Sequence, residues 1–145
     1  MGKLFELGST TVIILLNLML ASTASGQRET DSITASIINV SDANIDSMIN
    51  QYPLFVLDCY KIGCGPCEEM GVALDEIAQD FRGKIAFGRI DMKKNLETKK
   101  KYKIRSYPTL LLFEDGILVN KTVGFYSRDS TEDEIGSSFS SSIPQ

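Results

Sequence analysis

The sequence predicts an α/β domain in which a mixed β-sheet carries helices on both faces. Three observations predict it. Short apolar runs of strand length alternate with stretches of helical periodicity. One run, "LFVLDCY" from Leu54 to Tyr60, is apolar almost throughout, as a central strand buried on both faces must be. Further on, "EDGI" joins two more runs through a tight Asp-Gly turn, the signature of an antiparallel hairpin. The 145 residues suffice for one domain with its own core, and no internal repeat divides them.

Taken in order, Ser36 to Val40 ("SIINV") reads as a first strand. Ser41 is a good helix N-cap, and Ile45, Met48 and Ile49 follow at helical spacing. Pro53 ends that helix, and Leu54 to Tyr60 forms the central strand. Cys59, inside this run, reads as a small buried hydrophobe rather than a reactive thiol. Met70, Leu74, Ile77 and Phe81 then make one apolar helical stripe, stopped by Gly83. Ile85 to Asp91 is a strand, and Asn95 to Tyr102 a short charged helix. Thr109 to Phe113 ("TLLLF") and Ile117 to Val123 are the two strands of the hairpin. The tail "STEDEIGSSFSSSIPQ" opens with a capping pattern at Ser130 or Thr131. Ile135 and Phe139 give it a narrow apolar stripe, weakened by Gly136 and the serines. Strands separated by helices imply parallel pairing, and the hairpin adds antiparallel strands.

Composition excludes several functions. The formal charge is −4, without the basic surplus of a nucleic-acid-binding face. Lys93, Lys94, Lys99, Lys100, Lys101, Lys103 and Arg105 form the one basic cluster, read as a solvated helix face and its flanks. With no His and only three Cys, neither a four-sulfur nor a Cys/His zinc site can be completed, and three Cys with an Asp is the one zinc alternative left. No metal or other cofactor is expected.

The first two dozen residues stand apart. Lys3 gives a positive start, Val12 to Ala21 an apolar core, and Ala21 to Gly26 a run of small residues. This is the layout of an export signal peptide over residues 1–26. A linker over 27–34 and a folded domain over 35–145 follow. The competing reading is an uncleaved membrane anchor beginning near Leu4. Either way the domain is expected outside the cytoplasm, as a monomer.

The chemistry concentrates in "GCGPC", Gly63 to Cys67. Its two cysteines allow metal ligation, a structural staple or a redox pair. Cys64 lies just past the carboxyl end of the central strand, where a helix begins. Unpaired N–H groups and the positive end of the helix dipole stabilise a thiolate there. The thiolate is the attacking form of cysteine. Cys67 lies one turn inside the helix, shielded and close enough to close a small ring. Pro66 fits the first turn, where its missing N–H costs nothing. The arrangement offers an outer nucleophile and an inner resolving thiol. With no His present, a carboxylate is the obvious proton acceptor. Asp58, buried in the central strand six residues before Cys64, should have its pKa raised by burial.

These features together resemble the thioredoxin family. The likeness runs from about Ile37 to the C-terminus, through "LFVLDCYKIGCGPC", "LDEIAQDFRGKIAFGRID", "YKIRSYPTLLLFEDG" and "VGF". The resemblance implies a thioredoxin-like fold and thiol–disulfide oxidoreductase activity. Cys64 would be the nucleophile, Cys67 the resolving thiol and Asp58 the buried acid. Pro108 would be a cis-proline facing the motif, exposing the backbone of Tyr107 to a substrate segment. Gly63, Gly65, Pro66 and Gly124 would border the same groove. Arg89 falls where the family often has a Lys near the buried acid, though its residue-level reading is a partly exposed strand charge. Tyr60 keeps an aromatic site. Partners would be proteins with disulfides and an unidentified electron donor or acceptor.

Several positions depart from the family pattern. Gly63 stands where Trp usually precedes the first Cys, Tyr107 replaces a smaller residue, and Val72 replaces a kinking Pro, so the helix should run straighter. Glu68 and Glu69 stand where a Lys is common, and their charge opposes a thiolate nearby. The Gly-Pro dipeptide favours a reductant of protein disulfides. The competing readings are an exported thiol oxidase or disulfide isomerase, and a redox-inert binding domain whose cysteines form a static staple.

Overall fold

The computed structural model describes residues 36–125 and 127–143. The export signal over 1–26, the anchor from Leu4 and the linker over 27–34 lie outside the described residues. Among the described residues, no helix is long and apolar enough to cross a membrane.

The elements follow the expected order. They are β1 (Ile38–Asn39), α1 (Ile45–Gln51), β2 (Leu54–Tyr60), α2 (Gly65–Asp80), β3 (Ala86–Asp91), α3 (Leu96–Lys101), β4 (Thr109–Glu114), β5 (Ile117–Val123) and α4 (Arg128–Ser138). Some boundaries move, for local reasons. β1 is shorter than its apolar run because only Ile38 and Asn39 find partners, Gly88 and Arg89 of β3. Ser41 does not cap α1. Asn44 is the N-cap residue, and its side-chain oxygen accepts the Ser41 N–H at 2.7 Å, closing a turn before the helix.

Nor does α4 start at Ser130 or Thr131. Ser127 is its N-cap, and the Ser127 hydroxyl accepts the Ser130 N–H at 3.1 Å. A helix with so few good formers needs tertiary support. Ile135 and Phe139 are fully buried against the core. Arg128 ties α4 to α2 through Glu76 at 3.2 Å and Asp80, and bonds Glu132 one turn on at 2.6 Å.

The strands form one sheet in the order β1-β3-β2-β4-β5. β1, β3 and β2 are parallel, whereas β4 is antiparallel to both β2 and β5. The helical link from β3 to β4 therefore does not yield a parallel pair, contrary to the rule applied to the sequence. β4 instead runs against β2 on the side away from β3, so the chain re-enters the sheet at the end where β3 left it. This places the start of β4 beside the carboxyl end of β2, with Thr109 paired to Cys59.

α2 and α4 cover one face of the sheet. Their Met70, Leu74, Ile77, Ile135 and Phe139 pack on Leu54, Val56 and Leu112. α1 and the segment just after α3 cover the other face, where Ile45, Ile49 and Ile104 pack on Phe55, Leu57, Cys59 and Phe113. α3 is capped from a distance. The Asp42 carboxylate accepts N–H bonds from Glu97 at 3.1 Å and Thr98 at 2.9 Å, and the Thr98 hydroxyl at 2.6 Å. Burial is the largest single influence and disfavours the Asp42 charge, but these three bonds together outweigh it and hold its carboxyl below the usual range.

Candidate active site

β2 ends at Tyr60, and three loop residues lead to Cys64. Gly63 has φ +76°, a left-handed conformation that disfavours any side chain at this turn. Cys64 is the N-cap of α2, in extended conformation, and no side chain caps the helix in its place. The first turn closes with N–H bonds from Cys67 and Glu68 to the Cys64 carbonyl, at 3.0 and 3.2 Å. Pro66 occupies this turn as expected. Gly65 and Pro66 are exposed and Cys64 is half-exposed. Cys67 is only 2% exposed. The two cysteines are joined by a disulfide, with Cα atoms 5.2 Å apart. One sulfur thus meets solvent while its partner lies beneath it, in a helix whose positive end is aimed at the outer one.

Below this pair lies a charged layer. Residues alternate faces along a strand, so Asp58 shares the α2 face with Leu54 and Val56. On α2, Cys67 belongs to the same buried stripe as Met70 and Leu74. Asp58 is buried completely, and its Oδ2 accepts a hydrogen bond from Arg89 Nε at 3.1 Å. Its Oδ1 has no hydrogen-bond partner among the described residues. Burial pushes the Asp58 pKa up to about 6, and the Arg89 charge restrains the rise. Arg89 is 29% exposed at its side chain, so it is both the partly exposed strand charge expected and the ion-pair partner of the acid. Its guanidinium lies 4.7 Å from the centre of the Tyr60 ring.

Gly71 was not singled out from the sequence, yet this layer depends on it. A Cβ there would stand 2.9 Å from an Arg89 guanidinium nitrogen. An isolated glycine inside a helix costs about 1 kcal/mol relative to Ala, so its presence was the available signal of a close approach. α2 runs unbroken from Gly65 to Asp80, with Val72 exposed. Cys59 faces the opposite core, completely buried, and burial drives its thiol further from ionisation.

The third component enters from β4. The Tyr107–Pro108 peptide bond is cis. Pro108 is buried, and its carbonyl accepts the Gly124 N–H at 2.9 Å, with Gly124 at φ +92°. Tyr107 is half-buried, with Lys61 Nζ 5.9 Å and Lys99 Nζ 5.7 Å from its ring centre. These two lysines were not singled out as site residues from the sequence. Ile62, between Lys61 and the motif, is 58% exposed.

The Thioredoxin family model matches residues 36–137. The chain belongs to the thioredoxin family. It is 36% identical over 95 residues to thioredoxin from Staphylococcus aureus, covering 66% of this chain and 90% of that protein. Among solved structures it is similar to a mutant thioredoxin from Halobacterium salinarum. The TM-score there is 0.66 at 28% identity, over 71% of this chain and 90% of the other. The five-stranded mixed sheet with four helices is a thioredoxin-like fold. With its cysteine pair at bonding distance, this thioredoxin-family chain is a thiol–disulfide oxidoreductase.

One departure from the family pattern gives a direct test. Glu68 and Glu69 are exposed at the start of α2, next to the reactive end of the helix. In the reduced protein, the Glu68→Lys variant is expected to titrate its Cys64 thiolate at lower pH than the parent. Ultraviolet absorbance of the thiolate against pH measures this. An unmoved curve would remove Glu68 from the account.

Proposed function

We propose that the protein reduces disulfides in other proteins, with Cys64 as the attacking thiolate and Cys67 as the resolving thiol. The observation that carries the reading is the pairing of a half-exposed sulfur at a helix N-cap with a buried sulfur one turn inside. Cys64 attacks one sulfur of the target disulfide. A Cys64–target bond forms, the target bond breaks, and the first target thiolate leaves. Cys67 then gives up its proton and attacks the Cys64 sulfur, releasing the second target thiolate. Two electrons have passed to the target, and the Cys64–Cys67 disulfide is closed. A separate dithiol donor must reopen it.

Asp58 is the proton acceptor for Cys67 in this scheme. Its raised pKa and the unpartnered Oδ1 on the α2 face support that role. Tyr107, Pro108 and Gly124 border the approach, Gly63 leaves the space before Cys64 open, and Arg89 with Tyr60 positions the acid. The reading of residues 1–26 as an export signal places the activity outside the cytoplasm.

Equilibration with glutathione redox buffers separates this reading from that of an oxidase or isomerase. The Cys64–Cys67 couple is expected to be at least as reducing as glutathione. A clearly oxidising potential would overturn the reductase assignment while leaving the exchange chemistry in place.

A further inference from the structure

Two ammonium groups lie beside the Tyr107 ring, and among the described residues no carboxylate is paired with either. The Nζ atoms of Lys61 and Lys99 both lie within 6 Å of its ring centre, the range in which a cation feels the ring's negative face. Among the described residues neither lysine forms an ion pair. Neighbouring lysines differ. Lys101 bonds Asp46 at 2.7 Å, and Lys121 donates to the carbonyls of Tyr102 and Lys103 at 3.0 and 3.1 Å. Two like charges at one ring repel each other, and an anion placed between them would relieve that repulsion.

The fold builds this arrangement from three separate elements. Thr109 pairs with Cys59, so continuing the antiparallel register sets Lys61 opposite Tyr107. Lys99 comes from α3, whose first turn is fixed by Asp42. Lys61 precedes Cys64 by only three residues, so the cationic patch borders the half-exposed sulfur. Glu68 and Glu69, exposed on α2 just after the motif, carry the opposite charge on its other side in the chain.

We propose that Lys61 and Lys99 select disulfide substrates with an acidic side chain beside the cysteine under attack, its carboxylate paired with the ammonium groups that flank Tyr107. This deepens the reductase reading and rests on it. The preference opposes the net charge of −4, which alone would favour basic substrates. The sign of the selectivity therefore separates the local patch from the overall field.

The test uses three disulfide peptides identical except for Glu, Gln or Lys beside each cysteine. Reduction is followed with dithiothreitol as the electron source, its own background subtracted. In the parent protein, kcat/KM is expected to fall in the order Glu, Gln, Lys. The Glu-to-Lys ratio should be about tenfold at low salt, and should approach one near 1 M salt, where the screening length is about 3 Å. In the Lys61→Gln/Lys99→Gln double variant, the Glu-to-Gln ratio should drop to one or below. Equal rates on the Glu and Gln peptides, or a preference that survives the double substitution, would sink the proposal while leaving the reductase reading intact. Failure of the parent protein to reduce any of the three would overturn both.

Discussion

The Cys64→Ser variant is expected to show no insulin-disulfide reduction above the dithiothreitol background, a loss of at least ~10³-fold. The loss follows from position. Cys64 is the half-exposed member of the pair and stands at the helix N-cap, whereas Cys67 is buried and cannot meet a target disulfide directly. A serine hydroxyl does not ionise near neutral pH, so it cannot replace the thiolate. Cys67→Ser should behave differently. It retains the outer nucleophile and loses the group that resolves the first intermediate, so mixed disulfides at Cys64 should accumulate and can be isolated with their partners attached. A Cys64→Ser protein as active as its parent would leave the disulfide a static staple.

Asp58→Asn is expected to stabilise the protein while slowing it. Burial raises the Asp58 pKa from an ordinary 3.8 to about 6, so the folded state binds its proton more tightly than the unfolded chain does. The stability associated with that proton is fully present below about pH 4 and is lost as pH rises through about 6. Asparagine cannot ionise and escapes the loss. Urea unfolding of the oxidised proteins should show equal stability near pH 4 and a gain of about 3 kcal/mol for the variant by pH 8. A difference that stays constant over this range would show that the acid does not titrate as inferred. Resolution of the mixed disulfide should slow by roughly 10²-fold in the variant, because Cys67 loses its proton acceptor. Unchanged single-turnover kinetics would reduce Asp58 to a structural acid.

Much of this could be read from residue types alone. Apolar runs and helical stripes located every strand and helix in order, because burial of one face imposes its period on the sequence. The motif declared itself through two cysteines and a proline at a strand-to-helix junction, and Asp58 through the cost of a charge in an apolar run. Boundaries were less legible. Ser41 and Ser127 are the same residue type, yet only Ser127 caps a helix, because Asn44 displaces Ser41 by bonding back to it. α4 has few good helix formers, and the Arg128 bridges with buried Ile135 and Phe139 hold it in place.

The sequence was enough to establish that a strand, a reactive pair and a helix follow one another, since these contacts lie within a dozen residues. Only the tertiary structure decided how the residues around the pair meet, although the family resemblance had already pointed to Pro108 and Arg89. β4 runs antiparallel to β2 and so brings Tyr107 and Pro108 to the sheet end where Cys64 lies. The same folding sets Arg89 against Asp58, across the gap left by Gly71, and gathers Lys61 and Lys99 at one ring. Apart from Lys99, eight residues before Tyr107, each of these partners is distant in the chain from the residue it meets. Residue-level periodicity carries no information about such meetings, because it reports which face is buried and not what is buried against it.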